Sequence, residues 1–196
     1  MLGLVARWMG VDVGGERKGF DVAVIDESRV LTLQSRLSRH DVIDLVITYQ
    51  PAVVAIDCPC CCAPEGQTAR ESERQLARSI CGIRWTPDDH QVHASPYYAW
   101  IVEGLGLHAA LAGRGGDAIE VFPTASWTRW YGKRGTQSRA TWTRRGLAAL
   151  GLDGVPARTN QDQRDAIAAA ATARQHTFAK TETIGEIVVP LMAHTS

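Results

Sequence analysis

Long apolar runs and an excess of either charge are both missing from this sequence. No stretch approaches the roughly 18 consecutive apolar residues of a transmembrane helix, so we expect no membrane span and no membrane partner. Lysine and arginine total 21, as do aspartate and glutamate, so net charge gives no sign of a globally basic nucleic-acid-binding protein. The segment Met1–Gly10 lacks the pattern of a secretion signal, which favours a cytoplasmic protein.

Recognisable cysteine and nucleotide-binding motifs are missing as well. Four of the five cysteines fall between positions 58 and 62, too close together for a disulfide framework, and the fifth is Cys81. The cluster also lacks the two Cys-x-x-Cys pairs that are typical of structural zinc sites, so we expect reduced thiols. P-loop, dinucleotide-binding and Gly-x-Ser-x-Gly motifs are absent from the sequence. Nucleotide-binding proteins of these types and hydrolases with a catalytic triad therefore gain no support.

What is present is the pattern of one α/β domain spanning residues 1–196. Apolar alternation predicts three strands joined by tight turns, then two buried strands that are each reached through a helix. The predicted strands are 8–13, 20–26, 30–37, 52–56 and 118–122, with a short strand or edge segment at 187–189. The first predicted helix begins after Ser38 and ends before Pro51. The other predicted helices cover 69–80, 96–112, two segments within 126–150, and 161–176. This order predicts a mixed five-stranded sheet, three antiparallel strands followed by parallel strands, with helices on both faces.

Acidic residues occur in the predicted strands, where a charge is costly to bury. Asp12, Asp57 and Glu120 lie within or at the ends of three strands. Asp162 and Asp165 are three residues apart and therefore share one face near the start of the last helix. Each of these two could simply complement the helix dipole, but the five acids together favour a joint site. Converging carboxylates need cations, and oxygen ligands favour Mg²⁺ or Mn²⁺.

Several short stretches, in order along nearly the whole chain, resemble a known family. They are Gly10-Val11-Asp12, Ala55-Ile56-Asp57-Cys58-Pro59, Glu120-Val121-Phe122-Pro123, Asp162 with residues 165–170, and residues 185–190. The chain resembles domain-of-unknown-function family 429, a group of predicted nucleases of the ribonuclease H-like superfamily. It departs from the family pattern at Glu73, where an aspartate is usual, and in the cysteines at 60–62.

The resemblance implies hydrolysis of phosphodiester bonds by a two-metal-ion mechanism. It implies that Asp12, Asp57, Glu120 and Asp165 are catalytic and that they bind two ions, either Mg²⁺ or Mn²⁺. Asp12 would be shared by both ions. Asp162 is a further candidate metal ligand.

The strip 126–146 carries six cations, no acid and several interleaved aromatic residues. This composition suits a nucleic-acid groove, although two amphipathic helices with core tryptophans would explain it equally well. The substrate-binding candidates in the strip are Arg129, Trp130, Lys133, Arg134 and Arg139. Arg74 is a further candidate, on a helical face with Arg70 and Arg78, although an ion-paired surface is the simpler explanation there. The strip carries a formal charge of +6, so the remainder of the chain carries a formal charge of −6.

Two other functions remain open at this point. A phosphotransferase or ATPase of the actin and sugar-kinase type is suggested by Gly14 and Gly15 directly after Asp12 and Val13, although such enzymes need two domains around a cleft. A non-catalytic nucleic-acid-binding module of the same fold is the other alternative. The sequence leaves open DNA or RNA as partner, endo- or exonuclease action, and the oligomeric state, for which a homodimer is one option.

Overall fold

The three apolar-alternating segments near the start of the chain pair as an antiparallel meander, as predicted. The computed structural model describes residues 5–15, 17–114 and 117–192. Its strands are β1 Trp8–Val13, β2 Phe20–Ile25, β3 Val30–Leu37, β4 Val53–Asp57, β5 Ala118–Val121, β6 Thr181–Ile184 and β7 Ile187–Pro190. They form one sheet in the order β3-β2-β1-β4-β5-β7-β6, in which β1, β4, β5 and β7 run parallel.

Helices cover both faces of the sheet. They are α1 Arg39–Tyr49, α2 Glu71–Ser79, α3 Asp89–Ala94, α4 Ala99–Ala112, α5 Pro123–Tyr131, α6 Arg139–Ala149 and α7 Gln161–Thr177. α5, α6 and α7 share one apolar cluster with the sheet, and α1 and α4 share another on the opposite face. The predicted mixed sheet with helices on both faces is therefore confirmed. Among the described residues, no helix is both long and apolar enough to cross a membrane.

The predicted count of five strands was too low, because the described part of the chain forms seven. A hairpin made of β6 and β7 turns at Gly185, which has a positive φ of 59°. β7 then pairs in parallel with β5, so the segment predicted as a short strand or an edge segment lies inside the sheet. β6 escaped prediction because Thr181–Ile184 is short and mostly polar.

The alanine-rich face of α7 lies very close to the sheet. A Cβ placed on Gly10 of β1 would lie 2.1 Å from the carbonyl oxygen of Ala166 and 2.2 Å from the backbone nitrogen of Ala170. The small residues of β1 and α7 therefore permit this close approach, which sets the distance between the helix and the strand.

Gly10→Ala is expected to destabilise the fold by about 2–3 kcal/mol, because the added methyl group meets backbone atoms that cannot rotate away. Urea unfolding measures this change. Gly82→Ala is the matched control, since a Cβ there meets nothing within 4 Å. Equal stability of the two variants would contradict the packing described for α7.

Candidate active site

The first turn of α7 lies at the carboxyl end of β1. Trp8, at the start of β1, donates a hydrogen bond of 2.8 Å from Nε1 to Thr177 Oγ1 at the end of α7. Gly10 contacts the middle of the helix, so strand and helix run in opposite directions. Alternate side chains of a strand share one face. Asp12 therefore extends towards the start of α7, which carries Asp162 and Asp165.

The neighbouring strands bring further carboxylates beside Asp12. Asp57 is its register partner in the parallel pairing with β4, and Asp21 is its partner in the antiparallel pairing with β2. Carboxylate oxygens of Asp12, Asp21 and Asp162 all lie within 4.8 Å of one another. Lys18, in the turn between β1 and β2, places Nζ 2.7 Å from Asp162 Oδ2. The site therefore holds several acids and one nearby ammonium group.

Burial and mutual repulsion favour protonation of these acids. Burial, followed by the charges of Asp165 and Asp162, raises the pKa of Asp12 from 3.8 to about 8. Burial and the charge of Asp12 raise the pKa of Asp57 well above its ordinary range. Burial also raises the pKa of Asp21. The chain's own cations thus leave part of the local negative charge uncompensated.

Asp165 is held in place by three side chains. Trp127 Nε1 donates to Asp165 Oδ1 at 2.9 Å, and Arg139 Nη2 donates to Oδ2 at 2.8 Å. Gln161 Nε2 lies 3.0 Å from both carboxylate oxygens. Burial raises the pKa of Asp165, and the charge of Arg139 opposes that rise. The carboxylate therefore has a fixed orientation at the acidic edge.

Glu120 of β5 lies at the same edge, in a buried ion pair. Arg70 donates to both of its carboxylate oxygens, at 2.7 and 2.5 Å, and the Cys60 backbone N–H donates at 2.9 Å. Arg70 also donates from Nε to Glu73 Oε1 at 3.1 Å. Arg70 and Glu73 are 3% and 0% exposed. One guanidinium group thus neutralises part of the charge of two buried glutamates.

A cavity of about 1060 Å³ joins the acids to a basic wall. All five acids predicted for the site line it: Asp12, Asp57, Glu120, Asp162 and Asp165. Lys133, Arg134 and Arg139 line it too, from α6 and the segment before it. We call these three cations the basic wall; Arg139 also pairs with Asp165, so cations and carboxylates adjoin one another in the cavity.

The other three substrate-binding candidates lie outside this lining. Arg129 forms an ion pair with Glu182. Trp130 donates to Gln175 Oε1 at 3.1 Å and packs edge-on against Trp127. Arg74 lies against the ring of Trp85. These three side chains are engaged in contacts within the protein.

Asp21, Lys18 and Arg70 belong to the site but are not among the residues that the sequence predicts for it. Asp21 lies within a strand, 3% exposed, and the rule that singled out Asp12 applies to it equally. Lys18 belongs to a turn, and its position in the sequence does not identify it as a site residue. Arg70 was placed on an ion-paired surface face, but the structure buries it against Glu120.

The donors at the acidic edge suit a hard divalent cation. Across residues 5–15, 17–114 and 117–192, one set of at least three His, Cys, Asp or Glu side chains has ligand atoms close enough to share an ion, and it is Asp12, Asp21 and Asp162. All of its donors are carboxylate oxygens, the ligands of Mg²⁺ and Mn²⁺. The five cysteines are free thiols. The residues present therefore fit the expected metal.

Comparison with known proteins agrees with the fold. The sequence profile described as "Protein of unknown function (DUF429)" matches residues 10–188. The structure is similar to RuvC of Thermus thermophilus, with a TM-score of 0.50, 15% identity, and coverage of 88% of this chain and 96% of that one. For T. thermophilus RuvC in complex with a Holliday junction substrate the TM-score is 0.52, again at 15% identity, with 88% and 94% covered. No curated protein matches the chain. The likeness to RuvC confirms the predicted ribonuclease H-like fold.

Proposed function

This chain belongs to the DUF429 family, and we propose that it is a metal-dependent nuclease that hydrolyses phosphodiester bonds in nucleic acid. The observation that carries the proposal is the meeting of Asp12, Asp57, Asp162 and Asp165 at one edge of the sheet, beside a cavity with a basic wall. Burying so many acids together destabilises a metal-free protein, and cation binding supplies a reason for the arrangement.

Asp12, Asp57, Glu120 and Asp165 would hold two ions, Mg²⁺ or Mn²⁺, with Asp12 shared between them and Asp162 as a further ligand. When bound, such ions lower the pKa of a water molecule and stabilise charge on the phosphate and the leaving oxygen. Trp127, Gln161 and Arg139 keep the carboxylate of Asp165 in one orientation.

Asp21 extends this ligand set, and Lys18 opposes cation binding at one member of it. The oxygens of Asp21 lie close enough to those of Asp12 and Asp162 to share an ion with them. Lys18 competes with a cation for Asp162, and its exposed side chain can move aside when a cation binds. Glu120 contributes from within its ion pair with Arg70, because each carboxylate oxygen can accept more than one contact.

Nucleic acid is the substrate class that fits the basic wall. Lys133, Arg134 and Arg139 would bind backbone phosphates and bring the phosphodiester to the acidic edge. RuvC of T. thermophilus has been seen in complex with a Holliday junction. Branched DNA therefore belongs among the substrates to test.

The turn after Asp12 weighs against the phosphotransferase alternative. Gly14 N–H donates to Gly19 O at 3.0 Å, while the N–H groups of Lys18 and Gly19 both donate to Gly15 O, at 2.7 and 3.0 Å. These backbone donors are used inside the turn, so they are not available to nucleotide phosphates.

Cleavage of nucleic acid is expected to require Mg²⁺ or Mn²⁺ and to rise with pH up to about 8. A cation binds Asp12 only after the carboxyl group loses its proton, and the pKa of that group is about 8. Below that pH the rate at limiting metal concentration should rise about tenfold per pH unit. Gel analysis of branched, single-stranded and RNA–DNA hybrid substrates measures both effects.

Two further measurements distinguish the alternatives: cleavage in the presence of a chelator, and thermal unfolding with Mn²⁺ alone or with ATP and Mg²⁺. Cleavage that continues in excess EDTA, or a rate that falls between pH 6 and 8, would contradict the proposal. Thermal stabilisation by Mn²⁺ alone supports it. Stabilisation only by ATP with Mg²⁺ supports the phosphotransferase, and response to neither supports the binding module.

A further inference from the structure

A tryptophan with almost half its surface exposed lies beside the cavity, outside the site described above. Trp85 is 45% exposed and belongs to the segment that connects α2 to α3. The guanidinium carbon of Arg74 lies 5.8 Å from the centre of its ring. A cation within about 6 Å of an aromatic face is attracted to it, so Arg74 supports the indole from one side.

The segment that carries Trp85 is anchored by buried hydrogen bonds. Thr86, the next residue, donates its backbone N–H to Glu73 Oε2 at 2.9 Å. Glu73 is bound to Arg70, and Arg70 to Glu120. A continuous buried network therefore fixes the position of Trp85 relative to the acidic edge of the sheet.

The residues just before Trp85 face the cavity. Ile83 and Arg84 line it together with Asp12 and Asp57. A polymer lying with one phosphate at the acids would therefore pass this segment. Arg74 and Arg84 supply the positive charge that such a polymer needs next to an aromatic surface.

We propose that Trp85, supported by Arg74, stacks on an unpaired nucleobase, so that the preferred substrate is single-stranded nucleic acid or a branched one with unpaired nucleotides. This inference rests on the proposed function. An indole stacks on any base whose face is free, whereas in the interior of a duplex both faces of each base are covered by neighbouring pairs. Discrimination between single strands and duplexes therefore follows from stacking.

The test is equilibrium binding by fluorescence anisotropy, with EDTA present so that nothing is cleaved. The probes are fluorescein-labelled oligothymidylate and oligouridylate of about 20 nucleotides, longer than a typical single-strand site, and a blunt DNA duplex of equal length. Trp85→Ala should weaken single-strand binding about tenfold and change duplex binding less than twofold. Trp85→Phe should restore most of the loss, because it keeps an aromatic face.

Phe178→Ala is the matched control. Phe178 is 53% exposed and packs on Trp8, at the end of β1 opposite Asp12. Its removal should leave binding of every probe unchanged. A thermal unfolding curve for each variant checks that the fold is retained.

The outcomes separate this inference from the nuclease proposal. The inference is overturned if Trp85→Ala binds single strands as tightly as the wild type, if it loses single-strand and duplex binding equally, or if the wild type binds none of the probes. If Trp85→Ala selectively loses single-strand binding while the wild type cleaves no substrate, the stacking site is supported and the nuclease proposal is contradicted.

Discussion

Asp12→Asn is expected to reduce metal-dependent cleavage more than 100-fold and, at the same time, to raise the melting temperature of the metal-free protein by about 10 °C. Loss of a residue that only supports a metal ligand costs roughly 10- to 100-fold, so loss of Asp12, which we propose as a ligand itself, should cost more. Stability should rise because the folded protein tolerates the charge of Asp12 poorly, as its pKa of about 8 indicates.

The sign of the stability change follows from proton binding. Asp12 holds its proton up to a pKa of about 8 when folded, against 3.8 when unfolded, so the unfolded state loses the proton first as pH rises. Folding stability is therefore complete below pH 4 and falls as the pH rises towards 8. At pH 7 the loss is about 4 kcal/mol, and asparagine removes it.

Calorimetry at two pH values checks this expectation. Asp12→Asn should gain stability over the wild type at pH 7 and gain nothing below pH 4, where both forms are neutral at this position. Asp44→Asn is the control, since Asp44 is an exposed residue of α1. A destabilised Asp12→Asn at pH 7, or unimpaired cleavage, would contradict the role given to this residue.

Arg70→Met is expected to lower the free energy of unfolding by about 3–5 kcal/mol. Removing one partner of a buried ion pair leaves the other charge without compensation, and here two buried glutamates, Glu73 and Glu120, lose the same guanidinium group. Chemical denaturation at pH 7 measures the loss.

Two further variants isolate the ion pair from simple packing. Adding Glu120→Gln to Arg70→Met should recover part of the lost stability, because a buried charge is then removed as well. Arg78→Met should cost less than about 1 kcal/mol, since the Arg78–Glu71 pair is exposed. Equal losses for Arg70→Met and Arg78→Met would exclude the buried network as a major source of stability.

The acids of the site could be predicted from the sequence for a physical reason. A carboxylate in a buried strand is costly, so Asp12, Asp57 and Glu120 stand out wherever the strands are recognised. The partners that hold those acids do not stand out in the same way. Apolar periodicity identifies apolar faces and gives no sign when a helix buries Arg70 and Glu73.

The strand order was predictable only in part. The meander and the two following parallel strands come from local patterns and short connections. The place of β7 between β5 and β6 depends on pairing with a distant strand, and a four-residue apolar run does not specify which edge it joins. Asp21 is a different case, because it is a buried carboxylate within a predicted strand and has the same sequence signature as Asp12.

The packing of α7 on β1 has a consequence for biosynthesis and folding. The carboxylates of the site come from β1, β2, β4, β5 and α7, and the first and last of them, Asp12 and Asp165, are 153 residues apart along the chain. Such contacts have high contact order and form slowly. While a ribosome is still producing residues 161–190, β5 lacks its neighbour β7 and β1 lacks the helix that covers Gly10. The nascent chain therefore exposes a strand edge that invites aggregation, and the acidic edge stays incomplete until α7 has been synthesised.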